Sequence, residues 1–329
     1  MKKALKIFMF SVALGFMVLA VIPRFFRAGQ EVSSFTSEEG KEEFVRAYRD
    51  AMAALPKPQA TMDIETAYGT VRVYYFTKEA NRPQAPLLLL PGRSASTPMW
   101  EANLVGLLEE RPVYTVDLLG EPGMSRQTAP IKTKEDQAKW LNQVITELGL
   151  DRVHLVGVSI GGWTAMNLAR FYPERIASLS LLDPVFVFAP IPIKMVLASI
   201  PATVPGVPKA IREKMLSYIS GGAEADESVP VAKLIESGMR NFKIRLPAPD
   251  LFKEEDLAKI NRPVLALIAE NSTMHDAQKA VATGKKYVRN IQIEIWPGAS
   301  HAINGEFPEA VNRRILDFVN RIEGKGVNK

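Results

Sequence analysis

From Pro86 onward the chain alternates short, wholly apolar runs with longer stretches of helical periodicity, and this alternation restricts the fold more than any other feature. A strand whose every residue is apolar has both faces covered, as in the parallel sheets of α/β proteins, whereas a half-exposed strand alternates apolar with polar residues. The predicted strands are Leu87 to Leu90, Val113 to Val116, Val153 to Val158, Leu179 to Leu182, Val264 to Ile268 and Ile291 to Ile295. Helices are predicted near Trp100 to Glu109, Thr133 to Leu148, Gly161 to Phe171, Asp276 to Val288 and Pro308 to Ile322. The pattern predicts an α/β fold with a doubly wound, mostly parallel sheet. One long interruption, rich in proline and apolar residues from about 185 to 260, reads as a helical cap inserted between two strands.

Upstream, a Thr/Ser cap at Thr36, acids at Glu38 and Glu39, and Phe44, Val45, Tyr48, Met52 and Leu55 at helical spacing predict a helix that stops before Pro56. Val71 to Phe76 after Gly69, with a shorter run around Met62 to Thr66, predicts an opening hairpin. The expected organisation is an N-terminal segment over 1–29, a linker and helix over 30–60, and one α/β domain over 61–329 with its cap.

The formal net charge of +5 suggests a basic protein, but the excess is local. Lys2, Lys3, Lys6, Arg24 and Arg27 fall in the first 29 residues with no acid, and the remainder balances 36 basic against 36 acidic side chains. No nucleic-acid surface is implied. The lysines precede an uncharged apolar run from Ile7 to Ile22, which at ~1.5 Å per residue spans about 24 Å. Val21, Ile22, Pro23, Arg24, Phe25 and Phe26 follow it, not the small residues of a cleavage site. The segment is therefore expected to be a signal anchor, with secretion after cleavage as the alternative. More positive charge before the run than after it places the body of the protein outside the cytoplasm. The chain has no cysteine, which excludes disulfides, thiolate metal sites and a thiol nucleophile.

The chemistry concentrates at Gly157-Val158-Ser159-Ile160-Gly161, between a predicted strand and a predicted helix. This is the G-x-S-x-G nucleophile elbow, in which a sharp turn projects the serine from the carboxyl edge of the sheet and flanking glycines let neighbouring backbone pass close. The small residues are required by the geometry. A serine hydroxyl needs an imidazole to take its proton and return it to the leaving group. No metal or organic cofactor is implied, because neither a ligand cluster nor a phosphate-cradling glycine loop is present.

With these landmarks the chain resembles the α/β-hydrolase superfamily from about Phe35 to the C-terminus, and within it bacterial carboxylesterase-type members that carry an extra N-terminal helix. The matching motifs, in order, are Pro91-Gly92-Arg93, Asp117-Leu118-Leu119-Gly120, the elbow, Leu182-Asp183-Pro184 and Gly298-Ala299-Ser300-His301. The resemblance implies Ser159 as nucleophile and His301 as base. A serine at the elbow also argues against the superfamily's epoxide hydrolases and haloalkane dehalogenases, which use aspartate there. The acid that orients the base departs from the usual pattern, because Ser272 stands where the family commonly has it. Asp183, after the preceding strand, is the favoured substitute; Asp276 is less favoured, since it reads equally as a helix cap, and Glu270 is a third choice. Ile160 N–H, directly after the nucleophile, is one expected oxyanion donor. Arg93 N–H is the other by resemblance; its guanidinium is either a cation at the site mouth favouring an anionic substrate or, more commonly for such a residue, a solvated loop arginine, with Ser94 and Ser96 bracing that loop.

The cap residues Phe186, Val187, Phe188, Ile191, Ile193, Met195, Val196 and Leu197 are expected to offer an apolar pocket or to pack in the core. The expected activity is hydrolysis of carboxylic esters of a hydrophobic small molecule through an acyl-enzyme. Alternatives are acyl transfer, perhydrolysis or C–C bond hydrolysis at the same site, or a membrane-anchored binding protein that has lost catalysis, an idea prompted by Ser272 and Pro91.

Overall fold

A computed structural model describes residues 31–195 and 229–324. The predicted anchor over 1–29 lies outside the described residues, as does the middle of the predicted cap. Among the described residues no helix is long and apolar enough to cross a membrane.

The chain begins with a two-residue strand β1 (Ser34–Phe35) and helix α1 (Glu38–Met52), then a hairpin of β2 (Ala60–Thr66) and β3 (Gly69–Phe76). Ser37 caps α1, accepting Gly40 N–H at 3.0 Å. The parallel body follows: β4 (Leu87–Leu90), α2 (Glu101–Leu107), β5 (Val113–Val116), the short β6 (Arg126–Gln127), α3 (Lys134–Glu147), β7 (Val153–Val158), α4 (Ile160–Phe171) and β8 (Ile176–Leu182). After the cap region come α5 (Pro230–Asn241), β9 (Phe242–Lys243), α6 (Glu254–Ala258), β10 (Val264–Ala269), α7 (Ala277–Tyr287), β11 (Ile291–Trp296), α8 (Ile303–Glu306) and α9 (Pro308–Ile322). Thr133 and Asp136 form a reciprocal capping box at the start of α3, where the sequence places that helix.

Nine strands form the main sheet, in the order β11-β10-β8-β7-β4-β5-β3-β2 with β6 also paired to β3. The strands from β11 to β5 are parallel, and the hairpin adds antiparallel strands at the β5 side. The apolar runs have the covering their composition demands. Leu87 and Leu89 point into one cluster, with Phe44 of α1, Leu104 of α2 and Ile315 of α9. Leu88 and Leu90 point into the other, with Trp140 of α3 and Met166 of α4. All four leucines are fully buried, and each contributes roughly 1.5–3 kcal/mol of transfer free energy.

Register then assembles a site at one edge. Leu90 pairs with Gly157, Val158 with Leu182, Leu182 with Leu267, and Ala269 with Trp296. The loops following β4, β7, β8, β10 and β11 therefore leave the sheet side by side at its carboxyl edge, where α/β sheets bind ligands.

Candidate active site

The elbow between β7 and α4 is a strained turn. Ser159 has φ 54° and ψ −117°, a left-handed conformation that a non-glycine residue adopts only where its surroundings impose it. The surroundings here are backbone. A Cβ at Gly157 would stand 2.4 Å from the Gly161 carbonyl oxygen, and one at Gly161 would stand 2.1 Å from the Leu90 carbonyl oxygen. Ser159 occupies the N-cap of α4 but makes no capping bond with its side chain. Its Oγ instead lies 2.9 Å from His301 Nε2.

His301 sits in the loop between β11 and α8, which begins at Gly298 with φ 72°. Glu270 accepts Gly298 N–H at 2.8 Å, and Glu306 accepts both N–H and Oγ–H of Ser300, at 2.8 and 2.6 Å. His301 Nδ1 is 2.5 Å from Asp183 Oδ2. A carboxylate only accepts, so the proton of a neutral imidazole belongs on Nδ1 and the lone pair on Nε2 faces the serine hydroxyl.

Asp183 follows β8 in a left-handed conformation, φ 44°, with its side chain fully buried. Its Oδ1 accepts Ala269 N–H at 2.9 Å, and its Oδ2 accepts Ser272 Oγ–H at 2.6 Å. Burial alone would raise this carboxyl, but the contacts with His275 and His301 outweigh it and hold the group well below the usual carboxylate range. The other two candidate acids have different occupations. Asp276 is exposed and caps α7, accepting Lys279 N–H at 2.9 Å, and Glu270 is exposed and bonds Gly298. His154, at the far end of β7, has Nδ1 2.8 Å from Ser178 Oγ.

The loop after β4 runs against the elbow, with the position of a Cβ on Gly92 3.7 Å from Ser159 Cβ. Ser94 and Ser96 both have positive φ, at 59° and 55°. Ser96 Oγ–H bonds the Pro122 carbonyl at 2.6 Å, and Ser94 N–H donates to Glu121 at 3.3 Å. The next residue, Thr97, donates its N–H to Asp117 Oδ1 at 2.9 Å, while Tyr48 Oη–H from α1 reaches Asp117 Oδ2, also at 2.9 Å. Arg93 and Ile160 line one cleft together with Leu118, Leu119, Trp140, Trp163 and Leu246. Its polar wall is Glu121, buried and 3.3 Å from the Arg93 guanidinium. Burial pushes the Glu121 carboxyl up, against the pull of Arg93 and the Ser94 N–H. The cation expected at the site mouth is thus paired with a carboxylate of its own chain.

Among the described cap residues, those directly after β8 do not line this cleft. Val187 and Phe188 are buried in the core, and Ile193 is exposed. The cap-side lining comes instead from Leu246, Pro247 and Pro249, on the segment returning towards β10, because two-sided packing consumes the apolar residues after β8. Val196 and Leu197 lie outside the described residues.

Residues 87–314 match the Alpha/beta hydrolase family, and the chain belongs to that family. It is 27% identical over 290 residues to the uncharacterized carboxylesterase nap of Bacillus subtilis (strain 168), a match covering 85% of this chain and 93% of that protein. It is 28% identical over 307 residues to carboxylesterase YbfK of the same organism, covering 88% of this chain and 98% of that one. The crystal structure of naproxen esterase (carboxylesterase NP) from Bacillus subtilis superposes with a TM-score of 0.77 at 26% identity, covering 85% of this chain and 98% of that chain.

Proposed function

We propose that this carboxylic ester hydrolase works as a serine hydrolase, with Ser159 as nucleophile, His301 as general base and acid, and Asp183 orienting the imidazole. Ser159 Oγ attacks the ester carbonyl carbon while its proton passes to His301 Nε2, and the carbonyl electron pair moves onto oxygen. The N–H groups of Ile160 and Arg93 stabilise that oxyanion. Collapse of the tetrahedral intermediate breaks the bond to the alkoxy group, which leaves as the alcohol with the proton from His301. Water, deprotonated by His301, then attacks the acyl carbon; the bond to Ser159 Oγ breaks, His301 returns the proton to Oγ, and the carboxylic acid leaves. The observation that carries this reading is the 2.9 Å approach of Ser159 Oγ to His301 Nε2, made by a serine whose backbone strain keeps its side chain away from the helix cap.

The substrate proposed is a small ester with an apolar acyl or alcohol group, suited to the leucine and tryptophan walls beside Ile160. On sequence grounds alone, the apolar run before Pro23 is proposed to tether the domain outside the cytoplasm. Mass spectrometry of the membrane fraction tests this: a mature chain lacking the first ~28 residues would rule the tether out. The catalytic reading is tested by labelling with a fluorophosphonate probe alongside hydrolysis of p-nitrophenyl esters. Labelling and turnover are expected in the wild type and absent in Ser159→Ala; a folded wild type that does neither would refute it.

A further inference from the structure

Asp183 has a second imidazole beside it. The His275 side chain is fully buried, and its Nε2 lies 3.0 Å from Asp183 Oδ1, the oxygen that His301 does not contact. The contact is off the line of an aligned hydrogen bond, and neither ring nitrogen of His275 has another partner among the described residues. A buried imidazole deprived of water and left unpaired is costly, and the carboxylate 3.0 Å away is the acceptor within reach. With His275 counted, each Asp183 oxygen has two neighbours: Ala269 N–H and His275 on Oδ1, Ser272 Oγ and His301 on Oδ2.

We propose that His275 is a positioning residue of the site: as the neutral Nε2–H tautomer it donates to Asp183 Oδ1 and fixes the carboxylate so that Oδ2 faces His301 Nδ1. This rests on the reading of Ser159, His301 and Asp183 as a triad. Without His275, Oδ1 retains one donor, and more of the negative charge is felt by His301, whose proton affinity rises. The other ionisable groups of the two flanking loops are engaged elsewhere: Asp276 with Lys279 N–H, Glu270 with Gly298 N–H and Glu306 with Ser300.

The chain has only three histidines, so nitrogen-15 NMR of the full-length protein resolves every imidazole, with His154→Gln and His301→Gln variants assigning them. His275 is expected to carry its ring proton on Nε2. A His275 found as the Nδ1–H tautomer overturns the proposal. His275→Leu, which keeps apolar bulk and removes the donor, is expected to lower kcat/KM for a p-nitrophenyl ester roughly tenfold. It should also move the acidic limb of the pH profile upward, and His275→Gln should restore the limb. An unmoved limb in a folded His275→Leu protein argues for packing alone and overturns the proposal. Fluorophosphonate labelling separates the two readings: an unlabelled wild type sinks the triad, whereas a labelled wild type with the wrong tautomer sinks only the role of His275.

Discussion

Ser272 Oγ donates a 2.6 Å hydrogen bond to Oδ2 of Asp183, the same oxygen that approaches His301 Nδ1 to 2.5 Å. A hydroxyl from the loop after β10 thus supports a carboxylate carried by the end of the neighbouring strand, β8. Asp183→Asn is expected to lower kcat/KM by about 10³–10⁴ through loss of the imidazole's orienting partner. Because position 272 already touches the oxygen that faces His301, adding Ser272→Asp should recover at least roughly tenfold of that loss. Steady-state kinetics of the single and double variants check both; a double variant no better than the single one would show that a carboxylate at 272 cannot reach the imidazole.

Asp276 separates structural from catalytic acids. Its carboxylate caps α7, so Asp276→Ala should cost about 1 kcal/mol of stability and leave kcat unchanged. Chemical denaturation and kinetics of one preparation suffice, and a large loss of kcat at unchanged fold would reassign the acid.

Gly161→Ala sets a Cβ 2.1 Å from the Leu90 carbonyl oxygen, and backbone has no rotamer with which to yield. Strands β4 and β7 or the elbow itself must shift. The expected result is turnover reduced at least about a hundredfold by misplacement of the nucleophile, with a lower melting temperature. A fully active variant would mean the elbow is looser than its glycines indicate.

His154 gives the protein an acid-sensitive element far from the elbow. It is fully buried on β7, with Nε2 3.2 Å from Glu323 and Nδ1 against Ser178, and burial pushes it down from 6.5 to about 4, aided by Arg111 and Arg152 against the pull of Glu323. A pKa lower in the folded state means the contribution is complete above about 6.5 and is lost as pH falls towards 4. The loss is on the order of 2–3 kcal/mol at about 1.4 kcal/mol per unit. Asp117 and Glu121, held up by burial, titrate with the opposite sign in the acid range, so the relevant quantity is the difference between wild type and His154→Gln. Unfolding free energies measured across that range should show a steeper acid loss in the wild type; parallel curves would remove His154 from the account.

Most of the sheet and half of the site geometry were legible in the sequence, for a common reason. A four-residue run such as Leu87–Leu90 fits only a strand covered on both sides, and the elbow glycines are fixed by backbone clashes within a few residues. Asp183 stood out as the favoured candidate acid only because Ser272 occupies the more usual place. The two-residue strands β1, β6 and β9 are too short to show any period, and β1 pairs with β9 across some 200 residues of chain. The approach of His275 to Asp183 joins two loops that no local pattern connects. The pairing of Arg93 with Glu121 was hidden for the same reason, so the guanidinium read as a free cation. For the apolar cap residues composition reported burial without saying against what, leaving pocket and core packing both open, and Val187 and Phe188 pack in the core.

The bonds from Tyr48 and from Thr97 N–H meet on one buried carboxylate, Asp117, and they tie the first helix to the parallel body. Residues 87–314 carry the family match, yet a fragment with those ends would lack α1 and the β2–β3 hairpin. It would leave β5 as a bare sheet edge and Asp117 without its phenol donor, directly behind the loop that carries Arg93. The family match therefore begins downstream of elements on which the edge of β5 and the buried Asp117 depend.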